Sequence, residues 1–224
     1  MFNTVILSVA PKLTQAEYRS LLPLVSKEKQ ERIRLFRVLQ DAQNTLLGDV
    51  LIRTEICRVT CLSNWELEFS VNEYGKPFLI NSACVHFSIS HSKNYVVCSI
   101  ANEPVGIDIE VTRPIDIKIA ERFFAPDEVD YISRGQSTKR FFEIWTKKES
   151  RIKWEGKGLS IPLSSFSVLD PSELEMLNYF ELNKNNEFIC HVCSTIKEKP
   201  SIKEMDTATM MQYIKTIHLQ YLLD

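Results

Sequence analysis

Two acidic residues, Asp108 and Glu110, lie two positions apart inside an otherwise apolar segment at residues 105–111. Side chains alternate between faces along a β-strand, so a strand here puts both carboxylates on one face and Ile107 and Ile109 on the other. Neighbouring carboxylates repel each other unless a cation lies between them. The segment therefore predicts a strand with one acidic face, which is either a cation site or simply solvated.

A third carboxylate, Glu149, lies in a segment whose periodicity predicts a helix over residues 139–154. It falls within an apolar arc on that helix, formed by Phe141, Phe142, Ile144, Trp145 and Ile152. A charge on a core-facing arc is costly unless it is paired or bound to a metal. One interpretation is an ion pair with Lys153, four residues later. The other is a Mg²⁺ site shared with Asp108 and Glu110, because Mg²⁺ prefers oxygen ligands and leaves positions open for water and phosphates.

The overall composition is that of a globular protein without a general affinity for polyanions. The chain has 224 residues, is 44% hydrophobic and 25% charged, and has a formal net charge of -2. We therefore expect no nucleic-acid partner. No apolar run of about 18 residues occurs, so no membrane partner is expected. Residues 1–7 lack the features of a secretory signal and predict a first strand.

The six cysteines do not form a metal-binding pattern. Cys190 and Cys193 have the spacing of a metal clip, but no second pair matches it. We interpret the cysteines as buried or half-buried free thiols in a reducing cytoplasm, which predicts a cytoplasmic location.

Local patterns predict a mixture of helices and strands along the whole chain. Helices are expected from Gln15, where Thr14 and Glu17 form a capping box, and over residues 27–37, 41–59, 117–124, 127–134 and 139–154. Strands are expected over residues 67–71, 85–89, 95–100, 105–111, 163–168, 177–182 and 188–195, and the tail from Thr207 is ambiguous between helix and strand. This mixture indicates an α/β or α+β fold.

Several catalytic signatures are absent from the sequence. There is no glycine-rich phosphate loop, no nucleophile elbow and no His-Glu-x-x-His motif, so covalent nucleophilic chemistry is unsupported. Basic residues cluster over residues 27–37, where a solvated charged face is the simpler interpretation.

The motifs, taken together in their order and spacing, resemble one family, the 4′-phosphopantetheinyl transferases of the larger, surfactin-synthetase-activating type. The first signature is Gly106-Ile107-Asp108-Ile109-Glu110, and the second is Trp145-x-x-Lys148-Glu149-Ser150-x-x-Lys153. Upstream matches are Leu46-Leu47-Gly48-Asp49, Tyr74-Gly75-Lys76-Pro77 and Phe87-Ser88-Ile89-Ser90-His91-Ser92. The resemblance covers about residues 10–170 and fades toward the C-terminus.

The resemblance implies an α+β fold built from two similar halves related by a pseudo-twofold axis. The expected N-terminal half covers residues 1–104, and the C-terminal half, which carries the Mg²⁺ motifs, covers residues 105–224. Coenzyme A is expected in the cleft between the halves. Because the larger type is similar to two copies of a small synthase unit in one chain, a monomer is implied.

The resemblance also implies an activity and a set of site residues. The family transfers the 4′-phosphopantetheine arm of coenzyme A to a serine of an apo acyl or peptidyl carrier protein and releases adenosine 3′,5′-bisphosphate. By resemblance, Mg²⁺ is held by Asp108, Glu110 and Glu149, and the catalytic residues are Glu149 and Lys153. The positions that match coenzyme A contacts are Lys29, Arg32, Thr45, Lys76, Ser90, His91 and Lys153. Arg32 replaces a lysine that is familiar in the family, which preserves the charge but alters the geometry of a phosphate contact.

Two other functions fit some of these features. A Mg²⁺-dependent phosphatase acting on coenzyme A or nucleotides would release free phosphate or phosphopantetheine without a carrier protein. A protein that binds coenzyme A or a carrier without turnover would leave the mass of the carrier unchanged. The spacing of the two signatures and Lys153 favours the transferase.

Overall fold

The computed structural model describes residues 1–182 and 187–220. The helices are α1 (Gln15–Leu21), α2 (Lys27–Arg34), α3 (Leu39–Thr60), α4 (Lys118–Phe123), α5 (Pro126–Ser133), α6 (Ser137–Glu155), α7 (Pro171–Met176) and α8 (Thr207–Gln220). The strands are β1 (Phe2–Ser8), β2 (Phe69–Val71), β3 (Pro77–Leu79), β4 (His86–Ser92), β5 (Tyr95–Ala101), β6 (Val105–Glu110), β7 (Asn178–Glu181), β8 (Ile189–Ser194) and β9 (Ser201–Asp206). The fold is α+β, as predicted.

The first half is a sheet with the strand order β4-β5-β1-β9, covered by α3. The hairpin of β4 and β5 and the pairing of β5 with β1 are antiparallel. The helical periodicity predicted for residues 41–59 is confirmed, because its apolar stripe enters the core at Leu46, Leu47, Val50, Leu51 and Cys57. α3 ends where Cys61 adopts a left-handed conformation at φ 59°.

The second half is an antiparallel sheet with the order β6-β8-β7, covered by α6. The glycine of the first signature allows this helix to pack closely. A Cβ atom on Gly106 would lie 1.9 Å from the carbonyl oxygen of Ser150 and 2.4 Å from the backbone nitrogen of Trp154. Because both atoms are backbone, no rotamer change can relieve the contact, so only glycine permits this approach of β6 to α6.

The two halves meet where β4 lies beside β6, and serine side chains bridge them in place of a backbone ladder. Ser88, Ser90 and Ser92 alternate along β4 and point toward β6. The hydroxyl of Ser88 accepts a hydrogen bond from the backbone nitrogen of Ile107, and the hydroxyl of Ser90 donates one to the carboxylate of Asp108. The hydroxyl of Ser92 donates to the carboxylate of Glu110 and accepts from the backbone nitrogen of Val111. The acidic face of β6 is therefore turned toward the first half.

The strand predicted over residues 163–168 is wrong. Leu163–Ser165 is a short 3₁₀ helix, followed by irregular backbone. The carbonyl oxygens of Leu163 and Phe166 accept hydrogen bonds from the buried Lys148 at 2.7 and 2.6 Å, and the backbone nitrogen of Val168 donates to Glu128 at 2.8 Å. Side chains therefore satisfy the backbone groups that a neighbouring strand would otherwise have bonded.

Some other helices and strands also differ from the predictions. The charged helix predicted over residues 27–37 ends at Arg34, and the ambiguous tail is the helix α8. The strand β9 was not predicted, and it pairs in parallel with β1, so the chain returns to the first sheet after residue 200. The division at 104/105 stays a prediction, and its second half includes residues 183–186 and 221–224, which lie outside the described residues. No described helix is both long and apolar enough to span a membrane.

Candidate active site

A cleft of about 380 Å³ opens between α2, α3, β4, the loop at residues 72–77 and the C-terminal end of α6. Five of the side chains predicted to contact coenzyme A or to act in catalysis line it: Lys29, Thr45, Lys76, His91 and Lys153. Burial lowers the pKa of His91, so its imidazole is held toward the neutral form. Arg32, Ser90 and the predicted catalytic Glu149 are not among the residues that line the cleft in the described part of the chain.

Asp108 does not line the cleft but contacts the lining residue Lys153, and only 6% of its surface is exposed. Its Oδ1 atom accepts hydrogen bonds from Ser90 Oγ and Lys153 Nζ, both at 2.7 Å. Its Oδ2 atom is buried and has no hydrogen-bond partner. Burial raises the pKa of Asp108, against the opposing effect of the Lys153 ammonium. A solvated acidic face, one of the two interpretations of this strand, is therefore excluded for Asp108.

The other two predicted metal ligands lie near Asp108 but in different surroundings. Glu110 accepts hydrogen bonds from Ser92 at 2.9 Å and from Arg113 at 2.7 Å. Glu149 is half-buried, and its pKa is raised by burial and then by the negative charge of Asp108. Lys153 pairs with Asp108, so the ion pair with Glu149 that the helical spacing allowed is not the one that forms.

The predicted ligand set is not preassembled as a closed cage. Within the described residues, no group of three His, Cys, Asp or Glu side chains is arranged to hold a metal ion. The ammonium of Lys153 occupies one oxygen of Asp108, and the guanidinium of Arg113 occupies one oxygen of Glu110. The set nevertheless fits Mg²⁺ chemically: Asp108 Oδ2 is an unused oxygen, and Mg²⁺ is commonly bound by one or two carboxylates that substrate phosphates complete.

Asp49 is a cleft residue for which the sequence predicts no role. Its Oδ1 atom accepts a hydrogen bond from Arg53 at 3.0 Å, and its Oδ2 atom lies 3.6 Å from Lys29 Nζ. At that distance Lys29 is attracted by charge without a hydrogen bond, so its donors remain free for an anion in the cleft. The signal for Asp49 was its place in the Leu46-Leu47-Gly48-Asp49 motif.

Lys76 uses its ammonium differently from the other cleft lysines. Its Nζ atom donates to the carbonyl oxygens of Val105, Lys153 and Trp154. Burial lowers its pKa to about 8. The predicted coenzyme A contact of this residue is therefore limited, in this structure, to the part of its side chain that lines the cleft.

Two polar residues, Lys148 and His191, are buried and bonded to other side chains. Lys148, in the second signature, is fully buried and forms a 2.8 Å ion pair with Glu128. His191, between the two cysteines of the apparent metal clip, is buried with its Nδ1 atom 2.8 Å from the hydroxyl of Thr146. All six cysteines are free, as predicted, although Cys61 and Cys84 are exposed.

Comparison with known proteins identifies consistent relatives over most of the chain. The sequence profile of the 4′-phosphopantetheinyl transferase superfamily matches residues 104–208, and that of the 4′-phosphopantetheinyl transferase N-terminal region matches residues 11–104. The chain is 45% identical over 159 residues to 4′-phosphopantetheinyl transferase Sfp of Bacillus subtilis (strain 168), which covers 70% of this chain and 71% of the relative. It is 41% identical over 187 residues to 4′-phosphopantetheinyl transferase gsp of Aneurinibacillus migulanus, a match that covers 82% of this chain and 78% of the relative. It is 43% identical over 160 residues to 4′-phosphopantetheinyl transferase psf-1 of Bacillus pumilus, a match that covers 70% of this chain and 69% of the relative.

Proposed function

The chain belongs to the 4′-phosphopantetheinyl transferase superfamily, and on this premise we propose the reaction that its cleft carries out. The protein transfers the 4′-phosphopantetheine arm of coenzyme A to a serine of an apo carrier protein and thereby activates nonribosomal peptide or polyketide synthases. The serine hydroxyl oxygen forms a bond to the β-phosphorus of coenzyme A. The bond from that phosphorus to the bridging oxygen breaks, and adenosine 3′,5′-bisphosphate leaves.

One observation carries the proposal. The cleft holds the cations Lys29 and Lys153 at its wall, and Asp108, with its unpartnered buried oxygen, lies directly behind Lys153 at 2.7 Å. Lys29 has its donors free, and Lys153, which donates to Asp108 and to the carbonyl oxygen of Ile107 at 3.1 Å, keeps one donor, so both can bind the phosphates of coenzyme A. A buried carboxylate oxygen without a partner is costly and is expected where a further cation completes the site.

We assign the proton transfer to Glu149 and the stabilisation of the leaving phosphate to Lys153. Burial raises the pKa of Glu149, which makes its carboxylate a better proton acceptor than an exposed glutamate, directly or through a water molecule. A general base of this kind contributes about 10²–10⁴-fold to the rate. Lys153 lies between the cleft and Asp108, so its charge is available to a leaving phosphate.

Mg²⁺ is the metal that the site would take, held by Asp108, Glu110 and Glu149. When bound, it would neutralise charge on the pyrophosphate and polarise the phosphorus under attack. The chain contributes the orientation of the ligands: Ser90 fixes one oxygen of Asp108, and Ser92 fixes Glu110.

Coenzyme A would place its charged end against the wall of the cleft that the first half of the chain forms. We propose that Lys29, Thr45 and His91 contact its phosphates, with Arg32 on the exposed side of α2 and Ser90 acting through Asp108. A complete cleft within a single chain supports action as a monomer, and six free thiols support a cytoplasmic location.

The test incubates the purified protein with coenzyme A, Mg²⁺ and an apo peptidyl carrier protein, and weighs the intact carrier by mass spectrometry. We expect a mass gain of one phosphopantetheine that a chelator abolishes. Free phosphate or phosphopantetheine without any carrier would instead identify a phosphatase, and an unmodified carrier with coenzyme A bound would identify a binding protein.

The site residues are tested with variants of conserved shape. Glu149→Gln and Asp108→Asn are expected to lose at least about 10²-fold in kcat while urea unfolding stays cooperative, because each removes a charge and keeps the side-chain volume. Full activity in Asp108→Asn would refute the metal assignment.

A further inference from the structure

The loop at residues 72–77 belongs to the first half, but two of its side chains, Asn72 and Lys76, donate hydrogen bonds to backbone oxygens of the second half. Asn72 Nδ2 donates to the carbonyl oxygen of Gly156 at 2.8 Å, just after the end of α6. Asn72 Oδ1 accepts from the backbone nitrogens of Tyr74 and Lys76 at 3.0 and 2.9 Å, which fixes the loop conformation. The loop is thus held in one conformation on the C-terminal end of α6.

The Lys76 ammonium lies at the centre of this contact. It donates to Val105 O at 3.4 Å and Trp154 O at 3.2 Å, and also to Lys153 O. An ammonium has three donors, so these three carbonyl oxygens account for all of them. Lys153 and Trp154 belong to the last turn of α6, whose carbonyls lack partners within the helix and attract cations.

These carbonyl oxygens belong to the two elements that carry the proposed catalytic groups. Val105 begins β6, which carries Asp108 and Glu110, and Lys153 lies near the end of α6, which carries Glu149. A single half-buried cation from the first half therefore connects both elements of the second half.

We propose that Lys76 is a positioning residue that sets the spacing of β6 and α6 from the first half, and that it does not act as a phosphate ligand. This inference rests on the proposed transferase function for its kinetic consequence, but not for its structural one. The aliphatic stem of Lys76 also packs over Gly156, where an added Cβ would lie 2.7 Å from Lys76 Cδ. The stem and the ammonium thus hold the same helix end.

The experiment compares three Lys→Met variants of the full chain. Lys76→Met removes the proposed connection. Lys29→Met removes a cleft cation whose donors are free, and Lys157→Met removes an exposed cation just beyond the same helix end, where it pairs with Glu155. Hydrogen exchange of the unliganded protein is followed by mass spectrometry over residues 105–108 and 152–156, and kcat and KM for coenzyme A are measured with an apo carrier.

We expect Lys76→Met alone to accelerate exchange in both segments, by at least about tenfold, the factor that one hydrogen bond to a charged group is worth. Its kcat should fall about 10²-fold, as for catalytic groups displaced by about 1 Å, with KM for coenzyme A close to wild type. Lys29→Met should show the opposite, a raised KM with kcat retained. Lys157→Met should match wild type.

Exchange in Lys76→Met that equals Lys157→Met would overturn the inference, as would a raised KM with unchanged kcat. If Lys76→Met does not fold, Asn72→Ala decides, because it loosens the same loop without removing a charge and should accelerate exchange over residues 152–156. A wild-type protein that leaves every carrier unmodified would refute the proposed function, whereas the exchange comparison would still decide the role of Lys76.

Discussion

His191 is a titratable group whose buried position makes folding depend on pH. It lies in β8 at 2% exposure, and burial lowers its pKa to about 3. An unfolded histidine has a pKa near 6.5, so between about pH 6.5 and 3 the unfolded chain binds a proton that the native protein excludes. The contribution of His191 to the free energy of unfolding is therefore fully present above about pH 6.5, and it is lost progressively as the pH drops below that value.

We expect His191 to contribute a loss of about 2 kcal/mol of unfolding free energy between pH 7.5 and pH 5. His191→Asn, whose amide can still reach Thr146, should remove that part of the slope in urea unfolding measured across this range. His86→Asn, at a half-buried histidine, serves as the matched substitution and should change the slope less. An unchanged slope in His191→Asn would contradict the assignment of a neutral native imidazole.

At the scale of secondary-structure elements, the contact of β6 with α6 depends on Gly106. We expect Gly106→Ala to cost more than about 3 kcal/mol, the upper end of ordinary overpacking, because the added methyl group meets backbone atoms that cannot move aside. Gly135→Ala is the control, since the nearest atoms there belong to the flexible end of the Arg140 side chain. Equal midpoints of urea unfolding in the two variants would disprove this explanation of the first signature.

The ion pair of Lys148 with Glu128 connects α6 to α5 and to the irregular segment that follows. Both side chains are fully buried, so removing one partner leaves an uncompensated charge. Lys148→Met should cost about 3–5 kcal/mol in thermal or urea unfolding, and adding Glu128→Leu should recover part of it. Lys139→Met on the same helix breaks a 3.7 Å pair between an exposed lysine and the half-buried Glu143, and it should cost less than about 1 kcal/mol. Comparable losses in the two single variants would argue against a structural role for Lys148.

At the scale of the whole molecule, the chain end stabilises the half in which the chain begins. After β9 pairs with β1, α8 packs on α3, and Tyr213 donates a hydrogen bond to the buried Glu55 at 2.5 Å. The first half therefore depends on residues more than a hundred positions away from most of its core. We infer that the described chain unfolds as one cooperative unit.

Tyr213→Phe tests this dependence. Loss of one donor to a buried carboxylate should lower the unfolding free energy by about 1–3 kcal/mol, with a single transition retained. Tyr18→Phe is the control, because Tyr18 packs against the same core and its hydroxyl has no hydrogen-bond partner among the described residues. Urea unfolding followed by circular dichroism and by tryptophan fluorescence provides the comparison, and a biphasic transition would contradict a single cooperative unit.

Much of the fold follows from local patterns, and the exceptions share a cause. The stripe of α3 and the acidic face of β6 arise from periodicities of 3.6 and 2, and the capping box before α1 arises from hydrogen bonds between residues three positions apart. Neighbouring residues alone determine all three. The segment at residues 163–168 has an apolar content that suits a strand, but its backbone partners are Lys148 and Glu128, which come from other elements. Local pattern contains no information about such partners.

For the site, the sequence by itself determined which groups are present and which face each one takes on its own element: two carboxylates on one side of a strand, and a third on a helix. Only the tertiary structure decided which charged groups pair with each other. Lys153 pairs with Asp108 and not with Glu149, and Lys76 donates to the end of α6. The physical reason is that periodicity acts between near neighbours, whereas ion pairs and buried hydrogen bonds are settled by whichever partners the packing of the two halves brings within about 3 Å.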